Sequence, residues 1–365
     1  MNNFIICATR SMRGYASRVV RHLSQIPGFS EYADSMNGVD LLSTDHFADG
    51  EMEVELTSSI RGRDIVLFCT CARNEAGIGV EQAKIELYHA IDSLKRSQAH
   101  KIIVFEPFIS CSRSDRTTRR NSVGLWVHFK ILSSLGADHI VTYQLHSDKS
   151  KTMIDPSLCL VDDIPALPLL EKYLFDYYIQ SREILENVIR NHWAFCSVDA
   201  GGEKIARSFA NAFGAPLVVA HKQRDYSKPN KVSSISILSA EPLEGKVLWI
   251  VDDMVDTGVS VERLIPSLKP LNPREINLIA VHALFSPPAA QRMKALAREG
   301  LLNNIIITDT VCHLDVLKQD IPGLKIVSSA ELSAHVIQTI ITNSSMNTLL
   351  QPFDAGAYLS PPRDD

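Results

Sequence analysis

Asp252, Asp253 and Asp256 stand where the apolar run VLWIV gives way to Thr257, Gly258 and Ser260, within the stretch VLWIVDDMVDTGVSVERL at residues 247–264. Carboxylates at the end of a buried strand are costly unless something there uses them. In an open α/β sheet the ligand site forms at the carboxyl ends of the strands, where loops and helix N-termini meet. Thr257, Gly258 and Ser260 can present backbone N–H groups and hydroxyls to a phosphate, with the dipole of a following helix adding to the attraction. The three carboxylates cannot bind that phosphate, but they can hold hydroxyls or a hydrated magnesium ion beside it. A phosphorylated sugar has both needs in one molecule. The plainer alternative is an acidic pair that caps a helix and meets solvent.

Three further segments carry similar chemistry. SVDAGGEKIARSFANAFGA (197–215) brings an acid and paired glycines to the start of an amphipathic helix, where Asp199 can either ligate a metal or cap that helix. In VVAHKQRDYSKPNK (218–231), Lys222 and Arg224 leave a strand end two residues apart, so both cations can reach one side of an extended chain and clamp a phosphoryl group. Solvated surface charge is the alternative there. SCSRSDRTTRRNS (110–122) gathers Arg113, Arg116, Arg119 and Arg120, whose planar, permanent charge suits polyphosphate. RNA binding uses the same charge, but this cluster has no interleaved aromatics or glycine repeats.

The elements that must position these residues are legible as well. Apolar runs at 3–8, 64–70, 101–108, 139–145, 216–221, 246–253, 276–285 and 303–309 alternate with segments of helical spacing such as 80–99 and 124–137. Continuous β-branched runs between amphipathic helices belong to parallel sheets covered on both faces, so the fold class is α/β. A length of 365 residues allows two domains, and the Pro-rich LVDDIPALPLL (160–170) marks the boundary. The expected division is 1–163, 164–345 and a tail, 346–365, packed partly on the N-terminal domain and fraying after Phe353. With 37 basic and 42 acidic residues, net charge −5, no global field draws the chain to nucleic acid or an anionic membrane. No run approaches a membrane span and no secretory signal is visible, so a cytoplasmic location is expected. Seven scattered cysteines read as reduced thiols.

Taken in this order, the segments resemble ribose-phosphate diphosphokinase, also called phosphoribosyl pyrophosphate synthetase. The resemblance runs from near residue 4 to about 350 and includes FADGEMEVELTSSIRGRDIVLF (47–68), GADHIVTYQLHS (136–147), DAGGEK (199–204), HKQR (221–224) and VHALFSPPA (281–289). It implies two similar type I phosphoribosyltransferase-like domains, each a mainly parallel sheet covered by helices. It also implies ATP and ribose 5-phosphate as substrates, Mg2+ as cofactor, and a homo-oligomer built of dimers within hexamers. Carried over by motif, Phe47, Asp49 and Glu51 contact adenine from a neighbouring subunit and Arg113 contacts ATP. His146 and Asp199 hold magnesium, Lys222 and Arg224 act on the transferred phosphoryl group, and Asp252, Asp253, Asp256, Thr257, Gly258 and Ser260 form the ribose 5-phosphate loop.

Several positions depart from the family pattern. Ser114 replaces the Gln of the usual Arg-Gln-Asp, and Gln144 replaces the first residue of the usual Asp-Leu-His. Val259 stands at a phosphate-loop position usually held by Gly, where the backbone donors survive only if its φ is negative. SDKSKTMID (147–155) does not match the family's regulatory site, and about ten extra residues around 175–193 suggest a longer helix or a surface insertion used for packing or subunit contact. Two alternatives stay open: a non-catalytic regulatory paralogue, and a synthetase acting on another 5-substituted ribose.

Overall fold

The computed structural model describes residues 4–33, 38–74, 76–224, 232–311 and 320–359. The chain divides into two compact units, the first holding residues up to Pro165 and again Ser328–Leu350, the second holding Ala166–Asp309 and later segments including 351–359.

The first unit is built on five parallel strands in the order β1 (Phe4–Ala8), β4 (Asp64–Phe68), β5 (Lys101–Phe105), β6 (His139–Tyr143) and β7 (Leu160–Ile164). Strands β4 to β6 are almost wholly apolar because both faces of a parallel sheet are covered. One face packs against α2 (Val80–Arg96) and α3 (Gly124–Leu135) around Leu87, Ile91, Phe129 and Leu132. A separate antiparallel hairpin joins β2 (Leu42–His46) to β3 (Met52–Leu56). Helix α1 (Arg13–Ser24) packs against a helix from far along the chain, Ala330–Ile341.

The second unit carries seven strands in the order β10 (Val232–Ser239), β9 (Leu217–Arg224), β8 (Trp193–Ser197), β11 (Val247–Val255), β12 (Glu275–Ala283), β13 (Ile305–Thr308) and β14 (Leu324–Val327). All neighbours are parallel except the edge pair β9–β10. From β8 the chain moves outward to β9 and β10, then returns to the other side of β8 as β11. The gap between the carboxyl ends of β8 and β11 is therefore a topological switch point, where an α/β sheet opens a crevice for a ligand. Around the sheet stand α4 (Leu167–Tyr178), α5 (Glu203–Phe213), α6 (Val259–Leu268) and α7 (Ala289–Arg298).

These observations correct parts of the expected division. The boundary falls at Pro165–Ala166, and 160–164, read as an interruption, is the edge strand β7. The helix Ala330–Ile341, expected in the C-terminal domain, groups with the first unit, as does the start of the tail (346–350), while residues 351–359 group with the second. The tail does not fray at Phe353: its ring meets Phe175 and Tyr358, and a last helical turn runs Ala355–Tyr358. In the segment near 175–193, Phe175, Ile179, Leu185, Ile189 and Trp193 are buried and Tyr178 is set edge-on to both Trp193 and Trp249, while most of the other residues, Tyr177 and Val188 among them, are exposed. Six cysteines among the described residues are free thiols, five of them buried.

Candidate active site

β11 positions the acidic end of the opening motif. Its apolar residues are buried between β8 and β12, and the strand continues through Asp252 and Asp253 to Val255. Asp253 is 7% exposed and its N–H donates to Asp252 Oδ1 at 3.0 Å. Burial, then the Asp253 carboxylate beside it and Asp199 beyond, push the Asp252 carboxyl well above the usual carboxylate range. Asp199, at the end of adjacent β8, accepts N–H bonds from Gly201 (3.0 Å) and Gly202 (3.3 Å) on one oxygen, so it caps the helical turn before α5. Three acids thus share the switch point at a cost in mutual repulsion. Hydroxyl donors relieve that cost, so the set suits a polyhydroxyl ligand.

Beyond the acids the chain turns sharply at Gly258, which has φ 73°, and enters α6 at Val259. A Cβ on Gly258 would stand 2.6 Å from Met293 Cε, so both the dihedral and the space require glycine. Val259 itself has a helical backbone, which removes the concern its β-branched side chain raised: the left-handed residue is its neighbour. Among the described residues no side chain caps α6, and its N-terminal N–H groups open at the loop that carries Asp256, Thr257 and Ser260. Arg292 of α7 straps this loop, its guanidinium donating to the Thr257 carbonyl and, at 2.7 Å, to Glu262. Sequence reading missed Arg292, which becomes visible only when the crossover from β12 brings α7 beside α6. Lys222 and Arg224 lie at the carboxyl end of β9, in register with Ile235 and Val232 of β10. Their side chains fall outside the described residues.

The remaining candidates belong to the first unit. Phe47, Asp49 and Glu51 form the tip of the β2–β3 hairpin, closed by Phe47 N–H to the Glu51 carbonyl (2.8 Å) and Glu51 N–H to Asp49 Oδ1 (3.1 Å). Phe47 is 54% exposed, unusual for a phenylalanine with no packing role. Arg113 is exposed after β5, and His146 is exposed just beyond β6. Ser114 has a structural use: its Oγ accepts the Gly124 N–H (2.9 Å) and its carbonyl the Leu125 N–H (3.1 Å), holding the start of α3. A strand extending to residue 145 was expected, but β6 stops at Tyr143 because Gln144 turns left-handed, φ 45°. Among the described residues no three His, Cys, Asp or Glu side chains converge to hold an ion.

Comparison with known proteins agrees with this arrangement. Residues 4–136 match the family model for the N-terminal domain of ribose phosphate pyrophosphokinase, and residues 176–314 match the phosphoribosyl transferase domain. A ribose-phosphate pyrophosphokinase from Bifidobacterium longum is 30% identical over 332 residues, 90% of this chain and 90% of the relative. One from Porphyromonas gingivalis is 30% identical over 309 residues, 84% of this chain and 89% of that protein. The chain belongs to the ribose-phosphate pyrophosphokinase family. The crystal structure of phosphoribosylpyrophosphate synthetase from Mycobacterium smegmatis superposes with a TM-score of 0.77 at 25% identity, covering 94% of this chain and all of that one. Both units therefore carry the family's phosphoribosyltransferase-type α/β fold. Among the described residues no helix is long and apolar enough to cross a membrane.

Proposed function

We propose that the chain transfers the β,γ-diphosphoryl group of ATP to the C1 hydroxyl of ribose 5-phosphate, giving 5-phosphoribosyl 1-pyrophosphate and AMP. The observation that carries this reading is the loop at the β8–β11 switch point, which sets paired carboxylates beside an uncapped helix start. The α6 N-terminus, Thr257 and Ser260 take the 5-phosphate, while Asp252, Asp253 and Asp256 orient the ribose hydroxyls. The C1 oxygen then bonds to the β-phosphorus as the bond to the bridging oxygen of AMP breaks. Lys222 and Arg224 offset the charge gathering on the transferred group and the leaving AMP. Arg113 binds ATP. His146 and Asp199 would hold Mg2+, which when bound would neutralise phosphate charge. The exposed Phe47, with Asp49 and Glu51 beside it, suits contact with adenine held by a neighbouring copy, so a homo-oligomer built from dimers is part of the reading. A cytoplasmic enzyme of nucleotide biosynthesis follows from these substrates.

The test is to incubate the purified protein with ATP, Mg2+ and ribose 5-phosphate and quantify AMP and 5-phosphoribosyl 1-pyrophosphate. Equal amounts of both are expected. Lys222→Ala is expected to lower kcat by about 100-fold or more with a much smaller change in KM for ATP, because its charge matters most in the transition state. A loss confined to KM, or nucleotide binding without product, would count against the assignment.

A further inference from the structure

Two of the bonds that hold the turn after β6 have their acceptors on β7. The Gln144 N–H donates to the Ile164 carbonyl at 3.1 Å, and the Leu145 N–H donates to Asp163 Oδ1 at 3.0 Å. Register explains the reach, since Thr142 stands opposite Asp163 and Tyr143 opposite Ile164. Gln144 sits in the left-handed region at φ 45°, a conformation that costs a non-glycine residue about 1–2 kcal/mol and persists only when its surroundings impose it. The next residue but one is His146. Asp162, adjacent on β7, is used elsewhere: it accepts from His139 Nε2 at 2.9 Å, and strand alternation sends its neighbour to the other face. A half-buried carboxylate therefore closes the turn that presents His146, whereas position 144 itself offers only a neutral amide.

We propose that Asp163 is a positioning residue for the His146 metal site, fixing the turn that presents the imidazole and bringing to it, from the neighbouring strand, a negative charge that favours a divalent cation. The proposal rests on the reading of His146 as a magnesium ligand. A charge-assisted N–H bond to a carboxylate is roughly twice as strong as a neutral one, so the turn is held more firmly than a backbone acceptor would hold it. Groups that orient a metal ligand commonly control affinity as much as the ligand's own surroundings do.

Mn2+ serves as the probe, titrated into the full chain with ATP present and followed by electron paramagnetic resonance. Asp163→Asn keeps an acceptor for the Leu145 N–H and removes only the charge, so the fold is retained. It is expected to weaken Mn2+ binding by about 10-fold or more and to raise the Mg2+ needed for half-maximal product, leaving KM for ribose 5-phosphate unchanged. Adding Gln144→Asp to Asp163→Asn, which returns a carboxylate to the turn, is expected to recover most of that affinity. Mn2+ affinity of Asp163→Asn within about twofold of the parent, in a preparation that makes product, would overturn the role of Asp163 and leave the proposed reaction standing. A parent chain that neither binds Mn2+ nor forms product would overturn both.

Discussion

Gly258 answers two demands at once, a φ of 73° and a contact in which Met293 Cε leaves no room for a Cβ. Gly258→Ala is expected to cost about 1–2 kcal/mol in the backbone alone and to displace either the loop or α7, raising KM for ribose 5-phosphate by about 10-fold or more. Val259→Gly, by contrast, is expected to lose about 1 kcal/mol of helix propensity while leaving that KM nearly unchanged, because Val259 already has a helical backbone. Steady-state kinetics and thermal melts of the two variants check this directly; equal effects on KM would mean the phosphate does not sit on this turn. The residues of the loop were legible because they are contiguous and their types conflict with a buried strand. Arg292 and Met293 were not, since they reach the loop from about 35 positions further on, through a crossover whose placement depends on the whole sheet.

At the scale of elements, the packing of α4 on α5 contains a fully buried carboxylate. Glu171 accepts from Ser208 Oγ at 2.8 Å on one oxygen, and its other oxygen has no hydrogen-bond partner among the described residues. Burial pushes its carboxyl up to about 7, against the pull of the Ser208 bond. A carboxyl raised in the folded state contributes stability that is full below its unfolded value, near 4.3, and is lost as pH rises through about 7. The second unit is therefore expected to lose about 3 kcal/mol of stability between pH 4.5 and 8 through this residue. Glu171→Gln, uncharged throughout, should show a flatter dependence, measured as urea midpoints across that range; parallel curves would show that Glu171 ionises in the folded protein as readily as in the unfolded chain, so that burial does not raise it. Most of the sheet was legible as apolar runs because parallel strands are buried on both faces. Several elements that escaped are ones where that condition fails: β3 alternates charged and apolar residues, β7 is a sheet edge with two aspartates and a following proline, and β10 and β14 are the two edges of the second sheet. β8 escaped although it is buried in the centre of its sheet, because it is a short run of five residues and follows directly on the segment read as an insertion.

At the scale of the molecule, neither unit is one continuous piece of chain. The helix Ala330–Ile341 packs on α1, and its Ser333 Oγ bonds to the hydroxyls of Tyr15 (2.7 Å) and Tyr143 (2.6 Å), all fully buried. Ser329, just before that helix, adds a 2.8 Å bond to Tyr15. A fragment of residues 1–165 has every strand of the first sheet but lacks this helix, so it exposes an apolar face of α1 and loses the partners of two buried hydroxyls, each worth about 1–3 kcal/mol. That fragment is expected to bind a hydrophobic dye and to melt without cooperativity, whereas the same fragment with residues 328–350 joined through a flexible linker should melt sharply. Tyr143 adds a functional consequence, because it is the last residue of β6 before the turn that presents His146. Loss of the helix would free that strand end as well as uncover α1, so a dimension of the proposed metal site is set by residues almost two hundred positions away. A cooperative melt of residues 1–165 alone, at the midpoint of the full chain, would show instead that the returning helix decorates a unit already complete.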